Sequence, residues 1–366
     1  MDQPPNTPLP PLGSIRGRGT SLNPAGRFDR LSLHVLPSHL GDLANDAPNG
    51  RQLPTSVQPD DSRSVINRVD SPDLSFNWTL NPYRGCEHGC IYCYARPGHE
   101  YLGLSSGLDF ETRLFAKHDA PDLLRRELAR PAWRGEPIVL SGVTDPYQPI
   151  ERDLRITRRC LEVCRDFRQP VALITKNRLI ERDADLLADL ARDHAAAAAI
   201  SLTSLDPHLA AIMEPRASAP RDRLAAIRAL ADAGVPVTVM TAPIIPRIND
   251  HEIPALLRAA ADAGASSAAY ITLRLPYQIK DLFVDWLRRH FPDRADAVLN
   301  ALRQIHGGAL YRASFGLRQR GSGPLAAQIR SLHRAFAATY NLDRPRPPLR
   351  SAAFRKPDDQ PSLFAP

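Results

Sequence analysis

Between residues 76 and 290, short apolar runs alternate with stretches in which apolar residues recur every three to four positions. The first kind fits strands buried on both faces, and the second fits helices packed along one side. "FNWTL" (76–80) leads to a helix near 119–130, "PIVLSG" (137–142) to one near 153–167, and "PVALITK" (170–176) to one near 183–193. "AAAISLTS" (197–204) pairs with 221–233, "VPVTVMTA" (235–242) with 250–263, and "AAYITLRL" (268–275) with 280–290. Asp232–Gly234 and Asp262–Gly264 repeat the same "DAG", where a glycine can close a helix before the chain enters the sheet. Repeated strand–helix units predict parallel strands with right-handed crossovers, in a doubly wound sheet or a TIM-like barrel.

Ligands of both architectures sit beyond the C-terminal strand ends. The residues predicted to converge there are the loop after the first strand, Ser141-Gly142-Val143-Thr144-Asp145, Thr175-Lys176-Asn177, Ser201 to Ser204, Pro243 to Asp250, and Arg274.

Outside this pattern, residues 1–70 are rich in Pro, Ser, Asn and Asp, with "GRFDRLSLHVL" (26–36) as a short candidate arm. The chain is therefore read as a largely disordered extension (1–70), an α/β domain (71–306), a helical extension (307–345) and a basic Pro-rich tail (346–366). Hydrophobic residues make up 43% and charged residues 24%, as in soluble globular proteins, and no apolar run is long enough to span a membrane. The opening "MDQPPNTPLPPLG" has proline and acid where a signal peptide needs basic and then apolar residues, so a cytoplasmic location is expected. A net charge of +7 permits a polyanionic partner. No Walker loop, GxGxxG, HExxH or GxSxG is found, which leaves phosphoryl transfer, nicotinamide chemistry and common hydrolase mechanisms without support.

The chain has five cysteines, and three lie within "NPYRGCEHGCIYC" (81–93). In a reducing compartment such a cluster points to metal rather than disulfides. Cys86, Cys90 and Cys93 follow a Cys-x3-Cys-x2-Cys spacing, with Gly85 and Gly89 allowing the loop to fold around a compact ligand. A structural zinc or an ordinary four-iron cluster needs four ligands; His88 or His99 would complete a Cys3His zinc site, whereas three thiolates alone leave an open, catalytic coordination position. Cys160 and Cys164, four apart on a packing helix, read as core thiols rather than a redox pair.

Placed after the first strand, this loop resembles the signature of the radical S-adenosylmethionine (SAM) superfamily, and the resemblance extends over residues 71–306. It implies a partial TIM-type (βα)6 barrel and a [4Fe-4S] cluster on Cys86, Cys90 and Cys93. Its open iron would chelate the amino and carboxylate groups of SAM. An electron from a donor such as flavodoxin or ferredoxin would yield methionine and a 5′-deoxyadenosyl radical. The same resemblance implies cosubstrate contacts: Lys176 to the carboxylate, Ser141, Gly142, Thr144 and Asp145 facing the ammonium, Ser201 and Thr203 near the ribose, Glu214 and Arg216 on the following loop, and Tyr92 at the adenine. Plainer readings stand beside these: Lys176 as an exposed cation, Ser201 and Thr203 satisfying strand-end backbone groups, and Glu214 with Arg216 as a local ion pair.

"SPDLSFNWTLNPYRGCEHGCIYCYARPGHEYLGLSSGLDFET", "TDPYQPIER", "MEPRAS" and "LRLPY" resemble an uncharacterised bacterial branch grouped with the spore photoproduct lyases. In those lyases the radical takes a hydrogen from a thymine dimer, and a cysteine after the second strand returns one. Here that segment, Ser141 to Asp145, has no cysteine, while Tyr92 and Tyr94 occupy the tyrosine positions of the lyase cluster loop. Arginines and aromatics in "YRGCEHG" and "LRLPYQIK", with the basic tail, suit nucleic acid. Gln360-Pro361-Ser362-Leu363-Phe364 resembles the peptide by which repair proteins dock on the DNA sliding clamp. The sequence thus predicts a radical SAM enzyme of lyase or DNA-repair type acting on damaged or modified nucleic acid. The alternatives are radical chemistry on RNA or a small molecule, and a non-catalytic zinc or iron–sulfur protein that binds nucleic acid.

Overall fold

The computed structural model describes residues 15–29, 53–344 and 348–357. Its ten strands are β1 (Ser56–Pro59), β2 (Ile66–Arg68), β3 (Trp78–Leu80), β4 (Tyr83–Arg84), β5 (Arg113–Ala116), β6 (Ile138–Leu140), β7 (Val171–Thr175), β8 (Ala196–Ser201), β9 (Val237–Ile244) and β10 (Ser267–Thr272). Seven of them form one open sheet in the order β10-β9-β8-β7-β6-β3-β2. All neighbours are parallel except the edge pair β2 and β3. The order from β3 to β10 never reverses, so the doubly wound alternative, which needs a reversal, does not apply. β1, β5 and β4 form a second, three-stranded sheet.

The six anticipated pairs are present, because fully apolar runs such as Ala196–Ser201 can only be covered on both faces, and all six of its residues are buried. Helices Ala120–Leu128, Ile156–Asp166, Ala184–Arg192, Pro220–Asp232, Ile253–Asp262 and Ile279–His290 follow the strands. The helix expected over 153–167 is two pieces: Glu151–Leu154 ends at Arg155, whose φ of +53° breaks the turn before Ile156. Leu140, Val171, Leu173, Ile200, Val237 and Val239 anchor the main apolar core. A second cluster, built by Ile91, Met213, Leu273, Leu275, Phe283, Trp286 and Leu302, lies under the strand ends and contains Cys90.

The described parts of residues 1–70 and of the region from 342 onward pack against the α/β domain. β1 pairs with β5 and β2 with β3, and Ile15 and Leu22 of residues 15–29 are buried. Polar hydrogen bonds, rather than apolar periodicity, hold these segments, which is why their composition reads as disordered. Most of the candidate arm at 26–36 lies outside the described residues, as does Gln360–Phe364. Helix Gly323–Thr339 buries Ala326, Ile329, His333 and Ala337, and the outer edge of β10 is closed by Ala268 N–H donating to Leu342 O (2.9 Å) and Thr272 N–H to Gln319 O (2.9 Å). In the tail, Phe354 stacks on Phe167, with Arg350 and Arg355 N–H groups bonded to His194 O and Phe167 O. Among the described residues no helix is long and apolar enough to cross a membrane.

Candidate functional site

The cysteine loop turns twice through the left-handed region, at Gly85 (φ +78°) and Gly89 (φ +66°). A side chain at Gly85 would meet Leu114, His99 and the Phe110 carbonyl within 2.9 Å, so glycine is required there by space as well as by conformation. Cys86 N–H donates to Phe110 O (3.0 Å) and Ile91 N–H to Met213 O (3.0 Å). Arg96, fully buried, donates through Nε and an Nη to Cys90 O and ion-pairs with Glu111 at 2.5 Å. Glu111 also accepts from Gly19 N–H (2.9 Å), and a Cβ on Gly19 would fall 1.7 Å from Gly89 O. Arg18 donates to Glu111 O, Leu53 O and Thr55. Residues 15–29 and 53–55 are therefore built into the loop's scaffold.

Cys86 and Cys90 are buried and Cys93 is half-buried. Burial pushes all three thiols up; neighbouring acid and thiol groups add to this at Cys86 and Cys90, while Lys176 opposes it at Cys90, and Arg96 and Lys176 oppose it at Cys93. Such thiols become thiolates when a cationic metal replaces their protons. Among the described residues no three His, Cys, Asp or Glu side chains converge at the distances of a single ion. A cuboidal cluster takes its thiolates at separate corners. The histidines that could have completed a zinc site have other partners: His99 Nε2 lies 2.8 Å from Arg113 O with Phe110 against its ring, and His88 lies 3.3 Å from both Asp145 and Asn177. The donor set fits a group held by three thiolates.

Around the loop, the predicted contact residues separate into two groups. Asp145 is a buried hub: it accepts from Thr175 Oγ1 (2.7 Å), Lys176 N–H (2.9 Å) and Tyr147 N–H (2.9 Å), and it faces His88. Burial pushes its carboxyl up, but His88 and these donors hold it below the usual range. Thr144 donates to Gly85 O (2.6 Å) and Gln148 braces both. Glu214 accepts from Tyr92 Oη, Thr203 Oγ1 (2.7 Å) and Arg223, and Arg223 also donates to Ser201 O (3.1 Å). The local Glu214–Arg216 pair is not formed; Arg216 instead pairs at 3.1 Å with Glu87 of the cysteine loop itself. Thr144, Asp145, Thr203, Glu214 and Arg216 thus brace the site.

The second group faces the strand ends. Lys176 Nζ stands 5.9 Å from the Tyr92 ring centre. Ser141, with φ +100°, donates to Thr144 O (2.8 Å), and Gly142 O accepts from Tyr94 Oη (2.7 Å). Tyr94 is half exposed, and the Arg274 guanidinium covers its ring at 5.0 Å. Ser141, Arg247 (φ +68°) and Tyr277 (φ +53°) place non-glycine residues in the left-handed region on loops after β6, β9 and β10, strain of the kind that gathers at functional sites. Sequence reading missed Arg96, Glu111, Gln148 and Arg223; polar residues inside apolar surroundings were the only signal, and none lies at the C-terminal end of a strand of the main sheet.

Residues 80–260 match the sequence profile of the Radical SAM superfamily. An uncharacterised protein of Mycobacterium tuberculosis is 37% identical over 234 residues, covering 63% of this chain and 69% of the relative. An uncharacterised protein of Methanocaldococcus jannaschii is 27% identical over 191 residues, covering 52% and 68%. Among solved structures, spore photoproduct lyase with bound AdoMet and dinucleoside spore photoproduct superposes with a TM-score of 0.56 at 18% identity, covering 79% of each chain. That likeness concerns the fold.

Proposed function

Because the chain belongs to the radical SAM superfamily, we propose that Cys86, Cys90 and Cys93 hold a [4Fe-4S] cluster and that the protein uses SAM to start radical chemistry on damaged or modified DNA. The observation that carries this reading is the donor set: three thiols on one loop, with His88 and His99 both engaged elsewhere. When bound, the cluster would supply the single electron that divides SAM into methionine and a 5′-deoxyadenosyl radical.

The chain's own residues supply position and charge. The singly wound sheet would form the wall of a partial (βα)6 barrel, with the loop at its mouth. Lys176, the cation beside Cys90 and Cys93, suits the SAM carboxylate. The strained Ser141-Gly142 turn offers main-chain and hydroxyl groups to its ammonium and ribose. Tyr92, locked on Glu214, gives a fixed aromatic face for the adenine, and Ser201 and Thr203 hold that wall in place through Arg223 and Glu214. Ser141 to Asp145 contains no cysteine, so a lyase-type thiol donor is not available from that segment. In this reading Tyr94, whose hydroxyl donates to Gly142 O, gives a hydrogen atom to the substrate radical, and the tyrosyl radical left behind takes one electron from the external donor and one proton from solvent to restore the phenol. DNA as substrate is supported by the arginine and aromatic residues of the mouth and by the fold shared with spore photoproduct lyase.

Anaerobic reconstitution tests the reading. Near four irons per chain and 5′-deoxyadenosine formation on chemical reduction are expected, with deuterium passing from a labelled oligonucleotide into 5′-deoxyadenosine. Stoichiometric zinc without SAM cleavage would overturn the catalytic reading, and cleavage without transfer from any DNA would overturn the substrate.

A further inference from the structure

Several large apolar side chains stand exposed around the mouth: Phe28, Tyr94, Tyr101, Val143 and Tyr277. Three of them form a connected cluster with one arginine. The Arg27 guanidinium carbon lies 3.8 Å from the centre of the Tyr277 ring and 5.2 Å from that of Phe28, while the Phe28 and Tyr101 rings pack tilted with centres 5.2 Å apart. The parts come from three separate segments: residues 26–29, the turn Arg96–Leu102 just after the cysteine loop, and the loop after β10. Arg274, which covers Tyr94, belongs to that last loop, so the cluster adjoins the loop that carries the thiols.

The arrangement is held from beneath. Glu100, buried, accepts from Arg27 N–H (3.0 Å) and Arg27 Nε (2.6 Å) and from Gln278. Arg27 is therefore neutralised, and its use is as a fixed plane. Tyr277 keeps a left-handed backbone that turns its ring outward, with 56% of the residue exposed, and Tyr101 is 74% exposed. An arginine–aromatic cluster with exposed rings is not what a surface needs for its own stability. It matches the platforms on which unpaired bases stack, and the exposed cations Arg247, on the loop after β9, and Lys280, in the first turn of helix Ile279–His290, suit the phosphates between them.

We propose that Phe28, Tyr101 and Tyr277, fixed by Arg27 and Glu100, form a stacking platform for bases of single-stranded DNA next to the radical centre. The proposal rests on the reading of the substrate as DNA: a base presented to the centre leaves the duplex, and its neighbours need a surface to replace their lost stacking. The platform binds the flanking strand, apart from the reacting base itself.

The test is fluorescence anisotropy of a labelled poly-dT oligonucleotide with the full-length, reconstituted protein, alongside a blunt duplex and a poly-U strand of equal length. Single-stranded DNA should bind more tightly than the duplex and no less tightly than the RNA. Tyr101→Ala and Tyr277→Ala should each weaken its binding by about tenfold, the loss of one stacked base. Tyr101→Phe should retain it, and unchanged circular dichroism and thermal midpoint should show both alanine variants folded. Wild-type affinity in both alanine variants would overturn the platform while leaving DNA as substrate. Tighter binding of duplex or RNA would also overturn it. No nucleic-acid affinity in a protein that still cleaves SAM would remove the DNA reading, and the platform with it.

Discussion

Cys160 and Cys164 sit one turn apart on helix Ile156–Asp166, fully enclosed by residues such as Leu124, Leu161, Val163 and Phe167. Cys86 and Cys90 are nearly as deep, yet their loop is stitched by buried polar pairs: the ion pairs of Arg96 with Glu111 and Arg223 with Glu214, and His88 beside Asp145. Burial raises the thiols in both places, Cys164 to about 12, so depth and acidity do not distinguish a core thiol from a ligand. What distinguishes them is the cost of the surroundings. An apolar helix holds its cysteines as small hydrophobes. The loop, in contrast, uses left-handed glycines and desolvated ion pairs, costly features that hold one backbone shape.

The strongest way to break this contrast is to remove one sulfur from each region. Cys90→Ala should reduce iron and sulfide content and 5′-deoxyadenosine formation to background. Cys160→Ala should keep all three and lower stability by only about 1 kcal/mol, the loss of one small buried group. Iron analysis, product chromatography and urea denaturation read the difference. Equal loss of iron from both variants would erase the distinction.

Next in size is the ionic scaffold. Glu111→Leu leaves Arg96 buried without its carboxylate and should cost about 3–5 kcal/mol, whereas Arg96→Met with Glu111→Leu should recover much of that stability. The double variant should still hold iron less well, because Cys90 O also loses its two arginine hydrogen bonds. Iron retention equal to wild type in the double variant would show that the scaffold serves stability alone.

How legible these regions were follows from the same contrast. The strands and helices from 76 to 290 could be read because each must bury a periodic apolar face, and Ala196–Ser201 or Ile253–Asp262 allow few alternatives. The cysteine loop was legible from spacing. Residues 15–29 and 53–68 were not, since Gly19, Arg18 and Thr55 are held by hydrogen bonds to Glu111 and Glu87 far along the chain, and such pairings leave no local pattern. Asp145 was placed correctly at a strand end, but type and position could not show that its oxygens are consumed by Thr175, Lys176 and Tyr147.

His333 extends the comparison to a buried base without a carboxylate. It lies against Tyr270 with ring centres 4.6 Å apart, and Arg320 stands over the same tyrosine at 4.0 Å. Burial first, and then Arg320, push its pKa down to about 4 from 6.5. The folded protein therefore refuses a proton that the unfolded chain accepts: stability is full above pH 6.5, falls as pH drops toward 4, and is lower by about 3 kcal/mol below that. His333→Leu should flatten this part of the stability–pH curve, measured by urea titration at successive pH values. An unchanged slope would assign the acid sensitivity to other groups.

The smallest effect belongs to charges that neither region buries. On the exposed face of helix Ile279–His290, Arg289 pairs with Asp285 one turn earlier at 2.6 Å. The geometry rivals that of Arg96 and Glu111, but water screens both partners and returns their hydration when the pair is broken. Asp285→Ala should therefore change stability by no more than about 0.5 kcal/mol, and moderate salt should remove even that. The paired urea curves for Asp285→Ala and Glu111→Leu hold separation nearly constant and vary only burial. A loss above about 2 kcal/mol for the exposed pair would mean that distance, rather than desolvation, sets the value of an ion pair in this protein, and the ions around the cysteines would then need no special explanation.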